Sequence, residues 1–564
     1  MNGSGHSRRD FLQRSAGMVA AGSVVPYWQI AQGAEAGSAR PGRKHAALRS
    51  NLVVNDDGYV FLFLNDNLRK EDLRRHLQSY CREGVGAVAY CVGDMSWPTF
   101  YPTQVGVPWS AVRGDAKSNL KMSRSYRNVE NFASESGGYF GTVFDIIHGF
   151  GKKAVASFRM NDAHFTTDLS AHSELWKQHA KLRLGKPYGY YGKCLNYEFD
   201  IVRSHFKAMV KEFVELYPEI DGIELDAMRS PFFFPPGKGK QHAPLLTEMI
   251  RDIKATLHAQ AKRLKRPEYL LTTNVPLTPE LALSCGLDVA TWDAEELFDY
   301  VSVGTYQAYM NHPMQQWKKI LKRGTPVYAY LEGGPQTGQY YGLEEYRAAA
   351  ANAHASGADG IYLFNYPCLF ELLSQVPRRL ENAGVEPLDL RYVGQPDLTT
   401  IAQVLDEMAR PDLLQYKDKH FLFYWSKDTG YRHYAPDVAF VDRGHKQRNL
   451  KAVFRCYEDY DRAKQIALRF KIENVARTEQ FEVTLNGRRI DPQDQSQSIL
   501  YASNGRDTRI HTVKLGPYFR YDLSLKPGQL EKGENTLQIK PTRLEADLVG
   551  KIHLVEIELT LQFG

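Results

Sequence analysis

The sequence of 564 residues has no CxxC pair; Cys81, Cys91, Cys194, Cys285, Cys368 and Cys456 are scattered singly, which points against a zinc ribbon or a thioredoxin-type centre. Buried free thiols are the simple expectation, and one disulfide is compatible with an oxidising compartment. No HExxH occurs, and His164 with Asp162 offers only two ligands at i, i+2, so no metal and no cofactor is assigned. There is no GxSxG elbow of a serine hydrolase. Neither sign of charge dominates: 71 Lys and Arg against 65 Asp and Glu leave +6 with no basic block, so nucleic acid is not an expected partner. With 43% hydrophobic and 24% charged residues the composition is that of a folded globular chain.

Long hydrophobic runs are missing too. The stretch Ala16 to Trp28 is too short and too rich in Gly and Ser to span a membrane, so no stable membrane insertion is expected. It follows Ser7-Arg8-Arg9-Asp10-Phe11-Leu12 and precedes the small-x-small triplet Ala34-Glu35-Ala36. Paired arginines, apolar run and cleavage pattern in this order resemble a bacterial twin-arginine export signal, which implies a leader over residues 1–36 and a periplasmic or secreted protein.

From about residue 52 short apolar runs alternate with longer amphipathic segments. Strands are predicted at Tyr59–Leu64, Gly86–Val92, Lys153–Phe158, Gly222–Asp226, Tyr269–Thr273, Tyr300–Thr305, Pro326–Leu331 and Gly360–Phe364. Helices are predicted between them, among them Lys70–Cys81, Val202–Leu216, Leu245–Leu264 and Leu343–Ala355. Eight strand–helix units in series predict a parallel sheet closed into a (β/α)8 TIM barrel over residues 37–390. An open doubly wound sheet would carry a glycine turn for a nucleotide after its first strand, and Asn65-Asp66-Asn67 is not one. Two long connections, from Gly93 to about Gly138 and from Asn161 to about Asp200, follow strand ends on the face where barrel enzymes build their sites. Their rings (Trp97, Phe100, Tyr101, Trp109, Trp176, Tyr188, Tyr190, Tyr191) are expected to wall a cleft. Beyond about residue 390 the period shortens to two, with strands predicted at Phe421–Trp425, Ile466–Ile472, Gln480–Leu485, Ile510–Lys514, Thr536–Ile539 and Ile552–Gln562. Residues 391–564 are therefore expected to form an all-β sandwich accessory domain that braces the barrel or binds sugar.

Polar residues at the C-terminal ends of barrel strands share one cleft. The fourth strand reads Asp221-Gly222-Ile223-Glu224-Leu225-Asp226-Ala227-Met228-Arg229, which turns Glu224 and Asp226 inward and Ile223 and Leu225 toward the helices. Two inward acids need partners, and Arg229 is one; a salt bridge of purely structural purpose is the alternative. Strand seven ends at Glu332, the only acid there, between Leu331 and Gly333. Arg159, Asn161, Asp162 and His164 follow strand three, Asn274 ends strand five, Tyr306 and Gln307 end strand six, and Asn365 ends strand eight. Amide, guanidinium and phenol groups at one level suit a hydroxyl-rich ligand, and Trp97 supplies a flat stacking face.

The segment Asp221 to Pro231, the loop Phe158-Arg159-Met160-Asn161-Asp162-Ala163-His164 and the run Gly286 to Trp292 together resemble glycoside-hydrolase-like (β/α)8 proteins distantly related to the α-amylase superfamily, over about residues 55–385. That resemblance implies the barrel fold and glycan chemistry, and it places Asp226 at the acidic position expected to be catalytic, whereas Glu224 has no counterpart in the pattern. Glycoside cleavage uses two carboxyl groups. The expectation is an exported glycoside hydrolase of a poly- or oligosaccharide with Asp226 as nucleophile and Glu332 as acid/base. The remaining residues above bind the sugar. A barrel that binds carbohydrate without catalysis is the alternative, as is a Glu332 that only hydrogen-bonds substrate.

Overall fold

The computed structural model describes residues 51–64, 67–108, 120–164, 172–186, 189–305, 309–332, 341–367, 398–424, 440–442, 449–500 and 518–564. The leader expected over residues 1–36, Trp109, Tyr188, Tyr306, Gln307, Cys368 and the strand expected at Ile510–Lys514 lie outside them.

Eight parallel strands close into a barrel in chain order: β1 (Leu52–Asp56), β2 (Ala87–Asp94), β3 (Lys153–Arg159), β4 (Gly222–Asp226), β5 (Leu270–Pro276), β6 (Tyr300–Gly304), β7 (Val327–Leu331) and β8 (Gly360–Leu363), with β8 pairing back onto β1. Helices such as Lys70–Tyr80, Asp200–Leu216, Gly239–Leu264 and Leu343–Ala355 flank them. In Lys70–Tyr80 the residues Leu73, Leu77 and Tyr80 recur at helical spacing and are all buried, which is why this segment packs as a helix.

Seven strands lie within a few residues of their predicted places. The first does not. Tyr59–Leu64 is a short helix, and β1 is the preceding run Leu-Val-Val-Asn-Asp, buried throughout. A short apolar run fits a strand or a buried helix equally well, and here the turn decides. Asp56 Oδ1 accepts the Gly58 N–H at 2.8 Å, and Asp57 Oδ1 accepts the Tyr59 N–H at 2.9 Å. These side-chain turns, with Gly58 at φ +63°, end the strand and start the helix.

Strand alternation sorts the core into two clusters. Leu52, Val54, Val88, Ala156, Ile223, Leu271, Val301, Ala329 and Ile361 pack outward against the helices. Val53, Ala87, Ala89, Val155, Leu270, Tyr300, Tyr328, Tyr330 and Tyr362 fill the barrel. The filling is lopsided: β1 to β3 contribute small residues and β6 to β8 contribute rings. Tyr300 stacks on Tyr328 with centroids 4.4 Å apart, and Tyr330 lies 5.5 Å from Tyr362 and 5.0 Å from Phe364. Large side chains facing small ones leave a packed core, not a pore.

The C-terminal region is β-rich, as expected, and built of two antiparallel sheets from β9 (Lys419–Tyr424), β10 (Phe440–Asp442), β11 (Leu450–Cys456), β12 (Gln465–Glu473), β13 (Gln480–Leu485), β14 (Arg488–Arg489), β15 (Gln495–Leu500), β16 (Tyr518–Leu525), β17 (Gly533–Arg543) and β18 (Lys551–Gln562). One sheet runs β10-β18-β12-β16-β15 with β9 also on β18; the other runs β11-β17-β13-β14. In β12 the alternate residues Ile466, Leu468, Phe470 and Ile472 are buried, the period-two pattern of a half-buried strand. The turn Asn486-Gly487, with both φ angles positive, closes the β13–β14 hairpin.

This region is fastened to the barrel through the helix Leu343–Ala355. Asn352 Nδ2 donates to the carbonyls of Met310 and Arg455, at 2.9 and 2.6 Å, and Arg347 pairs with Glu407. At the centre His420 on β9 is buried between two carboxylates, Glu345 of the helix at 2.6 Å and Glu558 of β18 at 3.0 Å. Arg469 and Lys471 also face Glu558. Burial opposes charging His420, but its two carboxylate partners overcome that and raise its pKa to about 9. A histidine whose pKa rises on folding contributes stability fully below its unfolded value near 6.5, and that contribution is lost as pH climbs through about 9. The melting temperature should therefore fall between pH 7 and pH 10, and calorimetry of His420→Gln should show a lower melting temperature at pH 7 with a flatter alkaline decline.

Candidate active site

Register across adjacent strands builds one charged row at the C-terminal mouth of the barrel. Asp94 of β2 is level with Arg159 of β3, Arg159 with Asp226 of β4, Asp226 with Asn274 of β5, and Asn274 with Ser302 of β6. All five side chains are buried. Asp94 enters the row because β2 carries a bulge: Val92 and Gly93 together oppose Phe158, with Gly93 at φ +144°.

Arg159 is the hub. Its Nη1 donates to Asp162 Oδ2 at 3.3 Å, its Nη2 to Asp57 Oδ2 at 3.5 Å, and its Cζ lies 5.4 Å from the centroid of the Trp97 ring. Asp162 also binds the other two cations or near-cations of the mouth. Its Oδ1 accepts the His164 backbone N–H and the ring Nδ1–H, while Arg229 Nε lies 3.5 Å from its Oδ2. Arg229 Nη2 donates to His164 Nε2 at 2.9 Å, an arrangement that assigns the proton to Nδ1 and leaves the imidazole neutral. Asp226 Oδ1 accepts the backbone N–H groups of Met228 and Arg229, at 3.0 and 3.3 Å, so the turn after β4 aims the carboxyl.

These surroundings drive the carboxyl groups apart. Burial opposes ionising Asp162, yet His164, Arg229 and Arg159 hold its carboxyl far below the usual range. Burial raises Asp226 in spite of Arg159 and Arg229. Asp94 is pushed well up, first by burial and then by the charge of Asp162. Burial, and next the charge of Asp226, raise Glu224 to about 8. His164 is lowered by burial, with the two arginines adding to the effect against Asp162. The shifts thus favour an ionised Asp162, a neutral His164 and a protonated Glu224 at neutral pH, and they disfavour ionisation of Asp94 and Asp226. A site holding both carboxylate and carboxylic acid can accept and donate protons in one turnover.

Glu224 sits one step deeper than Asp226 on the same face of β4. Its Oε1 accepts bonds from Ser157 Oγ at 2.7 Å and Tyr362 OH at 2.8 Å, and Asn274 Nδ2 donates to the same phenol at 3.1 Å. It supports the row from beneath and does not belong to the mouth surface. Arg229, expected as a side-chain partner of the β4 acids, meets Asp226 through its backbone and turns its guanidinium to Asp162 and His164. The amide of Asn161 is committed to its own loops: Nδ2 donates to the carbonyls of Leu195 and Phe232, and Oδ1 accepts the Leu195 N–H. Glu332 lies one residue beyond β7, buried, close to Tyr341 and Tyr346, whose phenols are raised chiefly by burial, with the Glu332 charge a smaller contribution. Asn365 takes a positive φ of 46°, and its N–H donates to Asn55 Oδ1.

Of the described rings in the long connections, Tyr101, Trp176 and Tyr191 do not face a cleft as expected. Tyr101 packs into the core against Phe213, and Trp176 is buried face to face with His172 at 3.9 Å. Tyr191 stacks on Phe232 at 4.4 Å. Rings were needed there to bury long connections, not to face solvent. Trp97 and Phe100 do line a cavity, of about 20 Å3, together with Tyr59, Tyr139, Asp57 and Arg159, room for about one water molecule. Asp57, Asp94, Ser157 and Tyr362 were missed in the sequence. The described cysteines Cys81, Cys91, Cys194, Cys285 and Cys456 are free thiols. Among the described residues no three His, Cys, Asp or Glu side chains are placed to hold a metal ion, and no helix is long and apolar enough to cross a membrane.

The chain thus carries a (β/α)8 barrel with an acid–arginine row at its C-terminal mouth. No family model matches the sequence, and no curated protein matches it. Solved structures similar to it include a Paenibacillus cycloisomaltooligosaccharide glucanotransferase at 10% identity and TM-score 0.32; 91% of this chain is covered, but it spans only 57% of that protein. An endo-β-1,4-mannanase from Thermotoga petrophila is 13% identical with TM-score 0.39, covering 91% and 98% of the two chains. The catalytic domain of chitinase B from Arthrobacter is 10% identical with TM-score 0.34, covering 62% and 98%.

The opposite pKa directions of Asp162 and Asp226 separate structure from chemistry. Neutralising Asp162 takes from the buried Arg159 and the part-buried Arg229 the ionised partner they share, so Asp162→Asn should lose about 3–5 kcal/mol in urea unfolding at pH 7. Asp226→Asn removes a charge that burial disfavours and should be as stable as the parent, within about 1 kcal/mol, or more stable.

Proposed function

We propose that this protein is an exported glycoside hydrolase that cleaves glycosidic bonds of a poly- or oligosaccharide at the mouth of its barrel. One observation carries the reading: Asp226 is held by two backbone N–H groups and lies in the field of two arginines, beside carboxyl groups whose surroundings disfavour their ionisation. Carboxyl groups with divided protonation states are what glycoside cleavage uses, one to protonate the departing oxygen and one to attack or to activate water. In this reading Asp226 serves as the ionised member, with Arg159 and Arg229 opposing the effect of its burial. Glu332 is its acid/base partner or, given the tyrosines around it, a ligand for a sugar hydroxyl. Arg159, Asp162, His164, Arg229, Asn274, Asn365 and Trp97 form the polar and aromatic surround, to which Tyr306 and Gln307 are assigned by their position after a strand end; Asn161 braces the loops and Glu224 supports the row from beneath.

The twin-arginine leader over residues 1–36 accounts for delivery to the periplasm or beyond, the barrel over 37–390 for catalysis, and the β-rich region over 391–564 for bracing. Carbohydrate is the proposed partner, with no cofactor. A barrel that binds glycan without cutting it is the competing function; the near-complete burial of Asp226 favours that alternative.

Reducing-end release by the mature protein should be measured over neutral, sulfated and uronic-acid polysaccharides. At least one should be cut, and Asp226→Asn should lower the rate by roughly 10^2–10^4-fold. Glu332→Gln should lose a comparable factor if Glu332 transfers protons, and mainly raise KM if it binds a hydroxyl. Glycan binding without release, unchanged in Asp226→Asn, would establish the non-catalytic alternative.

A further inference from the structure

β2 enters the barrel with Ala87 and Ala89 inward and Val88, Tyr90 and Val92 outward. Continued without a break, that alternation turns residue 94 toward the helices. The bulge at Val92-Gly93 inserts one residue and brings Asp94 level with the inward Arg159. Such a device re-aims a single side chain, and the chain accepts a glycine at φ +144° to achieve it.

Asp94 is 1% exposed. Its Oδ1 accepts the Ser96 N–H; its Oδ2 is buried and has no hydrogen-bond partner among the described residues. A carboxylate oxygen in that state is unfavourable, whereas a protonated one becomes a donor in want of an acceptor. The acid stands two strands from Asp226 with Arg159 between them. Adjacent strands lie about 4.8 Å apart, so the two Cα atoms are roughly 9–10 Å apart before the side chains converge. Carboxyl pairs about 6.5–9.5 Å apart leave room for a water molecule and invert configuration, while pairs about 5–5.5 Å apart retain it.

We propose that Asp94 is the proton donor of this site, and that it works with Asp226 as base in a single inverting displacement. The assignment rests on the glycosidase reading above. The bond from the anomeric carbon to the departing sugar breaks with its electron pair going to the leaving oxygen, which takes the proton from Asp94 Oδ2. A water oxygen forms the new bond to the anomeric carbon, and its proton goes to Asp226. Asp94 ends ionised and Asp226 protonated, and exchange with solvent restores both. Arg159, lying between them, offsets whichever carboxyl carries the charge. Burial, and then the charge of Asp162 beside it, favour the protonated form of Asp94, opposed by the Ser96 amide and hydroxyl and by Arg159. Glu332 is thereby left to bind.

The test has two independent parts. The configuration of the first sugar released by the wild-type protein, read by proton NMR before mutarotation, should be inverted; retention would overturn the proposal without any variant being made. Asp94→Asn should lose roughly 10^2–10^4-fold on the unactivated glycan. On a dinitrophenyl glycoside, whose leaving group needs no proton, it should stay within about tenfold of the parent, while Asp226→Asn loses both activities. Equal losses on both substrates, no loss on either, or a leaving-group effect that appears in Glu332→Gln instead would overturn it. A wild-type protein that releases sugar from no glycan defeats the glycosidase reading itself, an outcome distinct from all of these.

Discussion

A guanidinium cannot shed its charge, and Arg159 is 3% exposed, so the mouth of this barrel is built around a fixed positive charge that has left water. Every neighbour answers it. Asp57 and Asp162 accept its N–H groups, Trp97 offers its ring face, and Asp94 and Asp226 flank it in register. Asp162 in turn holds Arg229 and orients His164, so one ionised acid serves three partners. With Asp162 committed to the ionised state, the other acids cannot all follow in so small and dry a space. Their carboxyls are accordingly pushed in opposite directions, Asp162 down and Asp94, Glu224 and Asp226 up, the kind of division that acid–base chemistry uses.

The barrel beneath imposes the same logic. Rings from β6 to β8 crowd across toward small residues on β1 to β3, which carries the Tyr362 hydroxyl over to Glu224 on the opposite strand. Glu224 kept neutral adds no second negative charge under Asp226; ionised, it would repel it. On the outside, the C-terminal β-rich region is joined to the helix Leu343–Ala355 by a charged histidine between two carboxylates. Both interior and exterior contacts bury an ionisable group where only a complete set of partners stabilises it, a requirement that favours one arrangement over near alternatives.

The parallel barrel was legible because alternation on strands such as Gly222–Asp226 is strict and each strand is followed by a helix of clear period. Asp226 and Arg159 were legible for the same reason: they end strands whose inward face is plain. Asp57 was not, because the run Tyr59–Leu64 reads as a strand by hydrophobicity, and a pair of aspartate-centred turns makes it a helix. Asp94 was hidden by a bulge, a one-residue event that reverses the face of everything after it and leaves only a glycine as its trace. Asn161 looked like a sugar ligand because amides at strand ends often are, but its partners are loop carbonyls tens of residues away. Pairing between distant segments is what single-chain patterns do not carry. The aromatic loops mislead similarly, since a ring that fills a core and a ring that faces a sugar are the same letter.

The central claim is that a glycan lies across the Asp94–Arg159–Asp226 row. A crystal structure of Asp226→Asn with an oligosaccharide from the glycan that binds the wild-type protein best tests it most directly. The account predicts a glycosidic oxygen within hydrogen-bonding distance of Asp94 Oδ2 and a sugar ring against Trp97. Sugar bound only on the β-rich region, with nothing at the barrel mouth, would contradict it.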